Sequence, residues 1–157
     1  MNPDDQFLAR AINLARQGST NGDGGPFGAV IVHDGKVIAE GWNRVVSSGD
    51  PTAHAEVNAI RSACATLGHF HLTDCTLYAS SEPCPMCLSA AYWARIGRIV
   101  FANSRAEAAA IGFCDDELYD ELGRHFSARS IVMEHHPLPN SLGPMQEWAD
   151  NPKHIPY

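Results

Sequence analysis

The sequence predicts an α/β fold in which a mixed β-sheet carries helices on both faces. Three observations lead there. An amphipathic helix opens the chain, a β-hairpin signal follows it, and helix-like and strand-like segments then alternate. At 157 residues the chain suits a single domain with a proper core.

Asn2-Pro3-Asp4-Asp5 supplies a cap, a proline at the first helical position and acids facing the helix dipole. Phe7, Leu8, Ala11, Ile12 and Ala15 recur at helical spacing, with Gly18 as the expected stop. After loop residues 19–26, two β-rich runs at 27–33 and 36–42 flank Asp34-Gly35, a dipeptide suited to two-residue hairpin turns. Asn43 ends the second run. A helix is expected over 53–67, closed by Gly68, and a strand over 76–80. Ser81-Glu82-Pro83 leads into a helix from about 84 to 96, followed by a strand at 98–102. Ser104 and Glu107 have the spacing of a capping box for a helix over 104–111. One or two helical turns at 115–122 and a last strand at 130–134 follow. The tail from Pro137 is rich in Pro, Asn and Gly, with a short helix expected around 145–149.

Composition narrows the function. Apolar residues are 45% and charged ones 18%, ordinary for a globular protein. The net charge of −7 comes without any Lys/Arg cluster, so nucleic acid is a disfavoured partner and a small, uncharged substrate is expected. No apolar run approaches membrane-spanning length, and the N-terminus lacks the features of a secretory signal. Cytoplasmic location follows as the default. Five cysteines, an odd number with one close pair, do not suggest a disulfide framework. The C-x-x-C pair leaves a redox couple or half of a metal site.

His54-Ala55-Glu56 and Pro83-Cys84-Pro85-Met86-Cys87 favour the metal. A catalytic zinc takes three protein ligands and keeps its fourth position for water. Cys84 and Cys87, three apart at a helix start, put both sulfurs on one face, where the dipole favours thiolates. A structural site would need a fourth Cys or His at recognisable spacing, and Cys64, Cys75 and Cys114 each stand alone. Glu56 stands instead two residues after His54, a carboxylate placed to take a proton from the activated water. A lone C-x-x-C is a weak signal and a lone H-x-E weaker. Their combination, with a proline before the first cysteine, resembles the motif of the zinc nucleobase deaminases. The redox reading leaves His54 and Glu56 without a task. The histidines at 33, 69, 71, 125, 135, 136 and 154 lack ligand spacing, and Cys64 and Cys75 read as small buried hydrophobes.

At these residues the chain resembles the cytidine deaminase superfamily and, more closely, its short bacterial guanine deaminases. The likeness extends through GGPFGAVIV (24–32), DPTAHAEVNAIR (50–61), SSEPCPMCLSAAYWARI (80–96), IGF (111–113) and the terminal tyrosine. It implies a three-layer sandwich around a mixed five-stranded sheet, with one Zn2+ per chain between two helix N-termini. It further implies hydrolysis of guanine to xanthine and ammonia, with Glu56 and Asp115 as catalytic residues. Phe27, Asn43, Ala55, Trp93 and Tyr157 are the expected substrate-binding residues, and a homodimer is the expected assembly. In that dimer, residues from about 137 to 157 would be exchanged, bringing Tyr157 to a neighbouring pocket. Each residue also has a plainer reading. Phe27 and Trp93 suit a core, Asn43 a turn, Asp115 or Asp116 a helix start, and Tyr157 a frayed end. Guanosine, cytosine, aminotriazines and tRNA adenosine remain alternative substrates, and a zinc protein without turnover is a further reading.

Overall fold

The computed structural model describes residues 2–157, which fall into two compact units that divide between Asp116 and Glu117. In the first, α1 (Pro3–Thr20) is capped by the Asn2 side chain, which accepts from the Asp4 N–H. Strands β1 (Gly28–His33) and β2 (Lys36–Trp42) form the expected hairpin. Asp34 and Gly35 both take positive φ, 48° and 70°, as a primed two-residue turn requires. A short α2 (Val45–Ser48) and then α3 (Ala55–Leu67) precede β3 (Cys75–Ser81). Helix α4 (Pro85–Trp93), β4 (Arg98–Asn103) and α5 (Arg105–Ala110) follow. The sheet order is β2-β1-β3-β4, with β3 antiparallel to β1 and parallel to β4.

The sheet is mixed, as expected, but has four strands where five were predicted. Residues 130–134 form no strand. Their β-branched composition finds no ladder partner, and local bonds take its place. Ser130 donates its N–H (2.7 Å) and hydroxyl (3.1 Å) to the Glu121 carboxylate. β-propensity is a preference for a pleated, half-buried surface, and without that surface it does not form a strand.

Two helix ends also differ from the expectation. Gly18 does not stop α1, which runs on to Thr20. The glycine is needed for space instead, since a Cβ there would lie 2.5 Å from the Trp42 ring. Helix α4 ends at Trp93 because Arg95 turns to φ 56° and the Ala94 carbonyl accepts from Leu72 N–H at 2.7 Å. The turn of α2 had no sequence signal. The Asp23 carbonyl makes it, accepting from Val46 and Ser47 at 3.0 and 2.9 Å.

Alternation along β1 divides the core between two layers. Ala29 and Ile31 join α3 and α4 residues on one face, and Val30 and Val32 join Phe7, Ala11 and Leu14 of α1 on the other. Small residues let the layers approach closely. On α3 the buried Ala55, Ala59 and Ala63 recur every four residues against β2. A Cβ on Gly41 would lie 2.2 Å from the Ala55 carbonyl oxygen and 2.6 Å from the Ala59 nitrogen. The N-terminus of α1 is pinned to the sheet edge by Asp4, which accepts from Tyr78 (2.7 Å) and from both Arg98 guanidinium nitrogens (2.9 and 2.6 Å). Arg98 and Tyr78 hold the Asp4 carboxyl down to about 2.

The second unit contains the end of α6 (Asp116–Gly123), a 3-10 turn at Phe126–Ala128 and α7 (Gly143–Asp150). None of these helices buries a residue. Within the unit the Trp148 ring stands 4.3 Å from that of His154. No helix among the described residues is long and apolar enough to cross a membrane.

Gly41→Ala drives a methyl into backbone that cannot swing aside, so it is expected to cost about 3 kcal/mol. That corresponds to a fall in Tm of roughly 6–12 °C. Calorimetric unfolding checks it, and an unchanged Tm would mean that β2 and α3 are not tightly packed.

Candidate functional site

Two helix N-termini meet at one point. His54 is the N-cap of α3 and Cys84 the N-cap of α4, both with extended backbone. Pro85 at the first position of α4 fixes its start, and Cys87 follows within the first turn. The side chains converge as the spacing predicts. His54 Nδ1 lies 3.6 Å from Cys84 Sγ and 3.5 Å from Cys87 Sγ, and the three ligand atoms all lie within 4.8 Å of one another.

Those distances fit a metal. Tetrahedral zinc, with Zn–S about 2.3 Å and Zn–N about 2.05 Å, sets nitrogen and sulfur about 3.6 Å apart. One imidazole nitrogen equidistant from two sulfurs suits a shared cation better than a single directed hydrogen bond. Imidazole with two thiolates is also a donor set that zinc prefers. His54, Cys84 and Cys87 are the group of potential metal ligands among the described residues.

Protonation follows the same proximity. The Cys87 thiol donates to Cys84 and, against burial, holds the Cys84 thiol down to about 4, with His54 assisting. Cys87 is pushed strongly upward, first by Cys84 and then by its own burial. A divalent cation would bind both sulfurs as thiolates and so displace thiol protons. Cys84 likewise raises His54. Glu56, 7% exposed in the first turn of α3, is raised chiefly by burial, with its own backbone N–H and the Cys87 thiol opposing.

The other expected residues distribute around this centre unevenly. Ala55 is fully buried and its methyl belongs to the core, which leaves the backbone N–H at the helix start as its polar group. Asn43 is buried, and its Oδ1 accepts from Gly25 (3.3 Å) and Val45 (3.1 Å), so its NH2 is what it can offer a ligand. Phe27 is half-buried and meets Phe113 edge-on, with ring centroids 4.8 Å apart. Asp115 is half-buried and near enough to Cys84 for that charge to raise its carboxyl, after burial. Asp116 is exposed and pairs with Arg105 at 3.7 Å. Trp93 is neither core nor beside the metal ligands. It is 67% exposed at the far end of α4, about 13 Å along the helix from Cys84. Tyr157 lies exposed in the second unit.

Two residues escaped the sequence reading. Phe113 stands in a loop without periodicity, so nothing at sequence level ties it to Phe27. Asn58 did carry a signal, since asparagine is a poor choice inside a helix unless its amide has work to do. Its Nδ2 donates to the carbonyls of Trp42 (2.9 Å) and Ala53 (3.2 Å). His71, which lacks ligand spacing in the sequence, has a buried Nε2 without a hydrogen-bond partner among the described residues.

Comparison with known proteins agrees with this geometry. Residues 1–103 match the family model of the cytidine and deoxycytidylate deaminase zinc-binding region. Over 144 residues the chain is 51% identical to guanine deaminase of Bacillus subtilis strain 168, covering 92% of each protein. A tRNA-specific adenosine deaminase of Haemophilus influenzae is 40% identical, with 72% of this chain and 68% of that protein covered. The crystal structure of the Bacillus subtilis guanine deaminase superposes with a TM-score of 0.95 at 49% identity, covering 98% of each chain. A guanine deaminase structure from Nitrosomonas europaea gives a TM-score of 0.66 at 34% identity, covering 70% of this chain and 64% of that one.

The protein is expected to bind one zinc ion per chain. His54→Ala and Cys87→Ser should each lose stoichiometric zinc, while Glu56→Gln keeps it. Elemental analysis after dialysis distinguishes them, and full zinc retention by His54→Ala would exclude this centre.

Proposed function

The chain belongs to the cytidine and deoxycytidylate deaminase zinc-binding family, and from that premise we infer that it is a guanine deaminase, hydrolysing guanine to xanthine and ammonia. The observation that carries this reading is a three-ligand centre with a buried carboxylate beside it, in a chain 51% identical over 144 residues to a guanine deaminase.

His54, Cys84 and Cys87 would hold the zinc. When bound, zinc supplies Lewis acidity that brings the pKa of a water from 15.7 towards about 7. Glu56 takes the proton of that water as it adds to C2 of the base. Its burial supports this role, because a carboxyl raised above its ordinary range accepts and returns a proton more evenly. Glu56 returns the proton to a ring nitrogen. Glu56 or Asp115 then carries the proton of the added hydroxyl to the exocyclic nitrogen, and the C2–N bond breaks to release ammonia as the C2 carbonyl forms. Asp115 is favoured over Asp116 because it is the less exposed of the two and lies near Cys84.

The Phe27–Phe113 pair offers an aromatic surface for a purine, the Asn43 NH2 a donor to a ring acceptor, and the Ala55 N–H a further donor.

The assembly we propose is a homodimer in which the C-terminal segment of one chain covers the other and Tyr157 closes the partner pocket. Support comes from the second unit, whose Ile131, Val132, Leu138, Leu142 and Met145 are all exposed. Such a concentration of apolar surface fits burial against another copy. A cytoplasmic setting would keep Cys84 and Cys87 reduced for the metal.

Glu56→Gln is expected to lower kcat by about 10²–10⁴-fold with zinc retained, read as ammonia release. Near-normal turnover would remove Glu56 from the chemistry. Zinc-loaded protein should release ammonia from guanine in preference to guanosine, cytosine and ammeline. An inert guanine beside another active base would overturn the substrate assignment. Deleting residues 153–157 should weaken turnover while leaving zinc in place, and an unchanged rate would refute the role of Tyr157.

A further inference from the structure

Asn58 sits in the second turn of α3, half-buried, and takes no part in the chemistry above. Its Nδ2 bridges two carbonyls outside that helix, 2.9 Å from Trp42 and 3.2 Å from Ala53. Those two residues immediately precede Asn43 and His54. Arg44 N–H also donates to the Ala53 carbonyl at 2.9 Å, so the two segments run side by side. The intervening residues 44–52 are mostly exposed and include only the single turn of α2. That loop is poorly placed to set the spacing by itself. A primary amide presents two N–H groups at a fixed angle and can meet both carbonyls together, whereas a hydroxyl meets one and a carboxylate neither.

We propose that Asn58 is a positioning residue that sets the separation between Asn43 and the metal-ligating end of α3, and thereby the affinity for the base. The proposal rests on the reading of Asn43 as a base-binding group. Asn43 touches the substrate in that reading, and Asn58 acts through it. A displacement of about 1 Å in a binding group can cost up to 10²-fold in efficiency, so one lost bridge is a measurable change.

The test is a double-mutant cycle on zinc-loaded protein, with ammonia release from guanine as the readout. Asn58→Ala should raise KM about tenfold with kcat changed by no more than about twofold and zinc content intact. In an Asn43→Ala background the same substitution should add little further loss. Asn58→Ser, which keeps one donor, should fall between Ala and the parent, and it serves in the cycle if Asn58→Ala does not fold. Unchanged kinetics for Asn58→Ala, with Asn43→Ala impaired, overturns the positioning role alone. An equal loss in both backgrounds also overturns it, since that is the behaviour of a general packing defect. If Asn43→Ala itself leaves KM unchanged, the base-binding reading of Asn43 fails and takes this proposal with it.

Discussion

The whole arrangement depends on bringing the positive ends of two helices, α3 and α4, to a single point. Two helix N-termini facing each other repel unless negative charge lies between them. The Cys84 thiolate supplies that charge, Cys87 would add to it once a metal displaces its proton, and His54 brings a nitrogen donor to the same point. The N–H groups left unpaired at each helix start favour the anionic forms that a metal requires. The electrostatic condition for holding the helices together is therefore also the condition for binding zinc.

Bringing α3 to that point is a matter of close packing. Ala55, Ala59 and Ala63 make one face of the helix nearly smooth, and Gly41 lets the β2 backbone lie directly against it. Small residues bury little area each, so cohesion comes from the neighbouring aliphatic positions of the sheet, Ile31 and Leu77 among them. The benefit of the small residues is distance. Larger side chains at this seam would lift His54 and Glu56 away from Cys84 and Cys87 together.

Polar groups then fix the approach to the metal. The buried Asn43 amide oxygen is held by Gly25 and Val45, and Asn58 ties the segment before it to the segment before His54. Such networks are rigid because each buried donor or acceptor left unpaired costs about 1–3 kcal/mol. The second unit has the opposite character. Its helices bury nothing, and its apolar side chains face outward.

The sequence by itself determined the chemistry. His54, Glu56, Cys84 and Cys87 could be read as one centre because each lies within a turn of a helix start, and short-range spacing fixes direction there. The hairpin at Asp34-Gly35 and the capping box at Ser104 and Glu107 were legible for the same local reason. What only the tertiary structure decided depended on partners distant in the chain. The segment at 130–134 has strand composition but no ladder, Gly18 marks an approach to Trp42 where a helix stop was expected, and Trp93 is exposed at the end of α4. Phe113 against Phe27, and Asn58 between Trp42 and Ala53, belong to the same class. A side chain's neighbours along a helix follow from its period, but its neighbours across the fold follow from packing, which has no period to read.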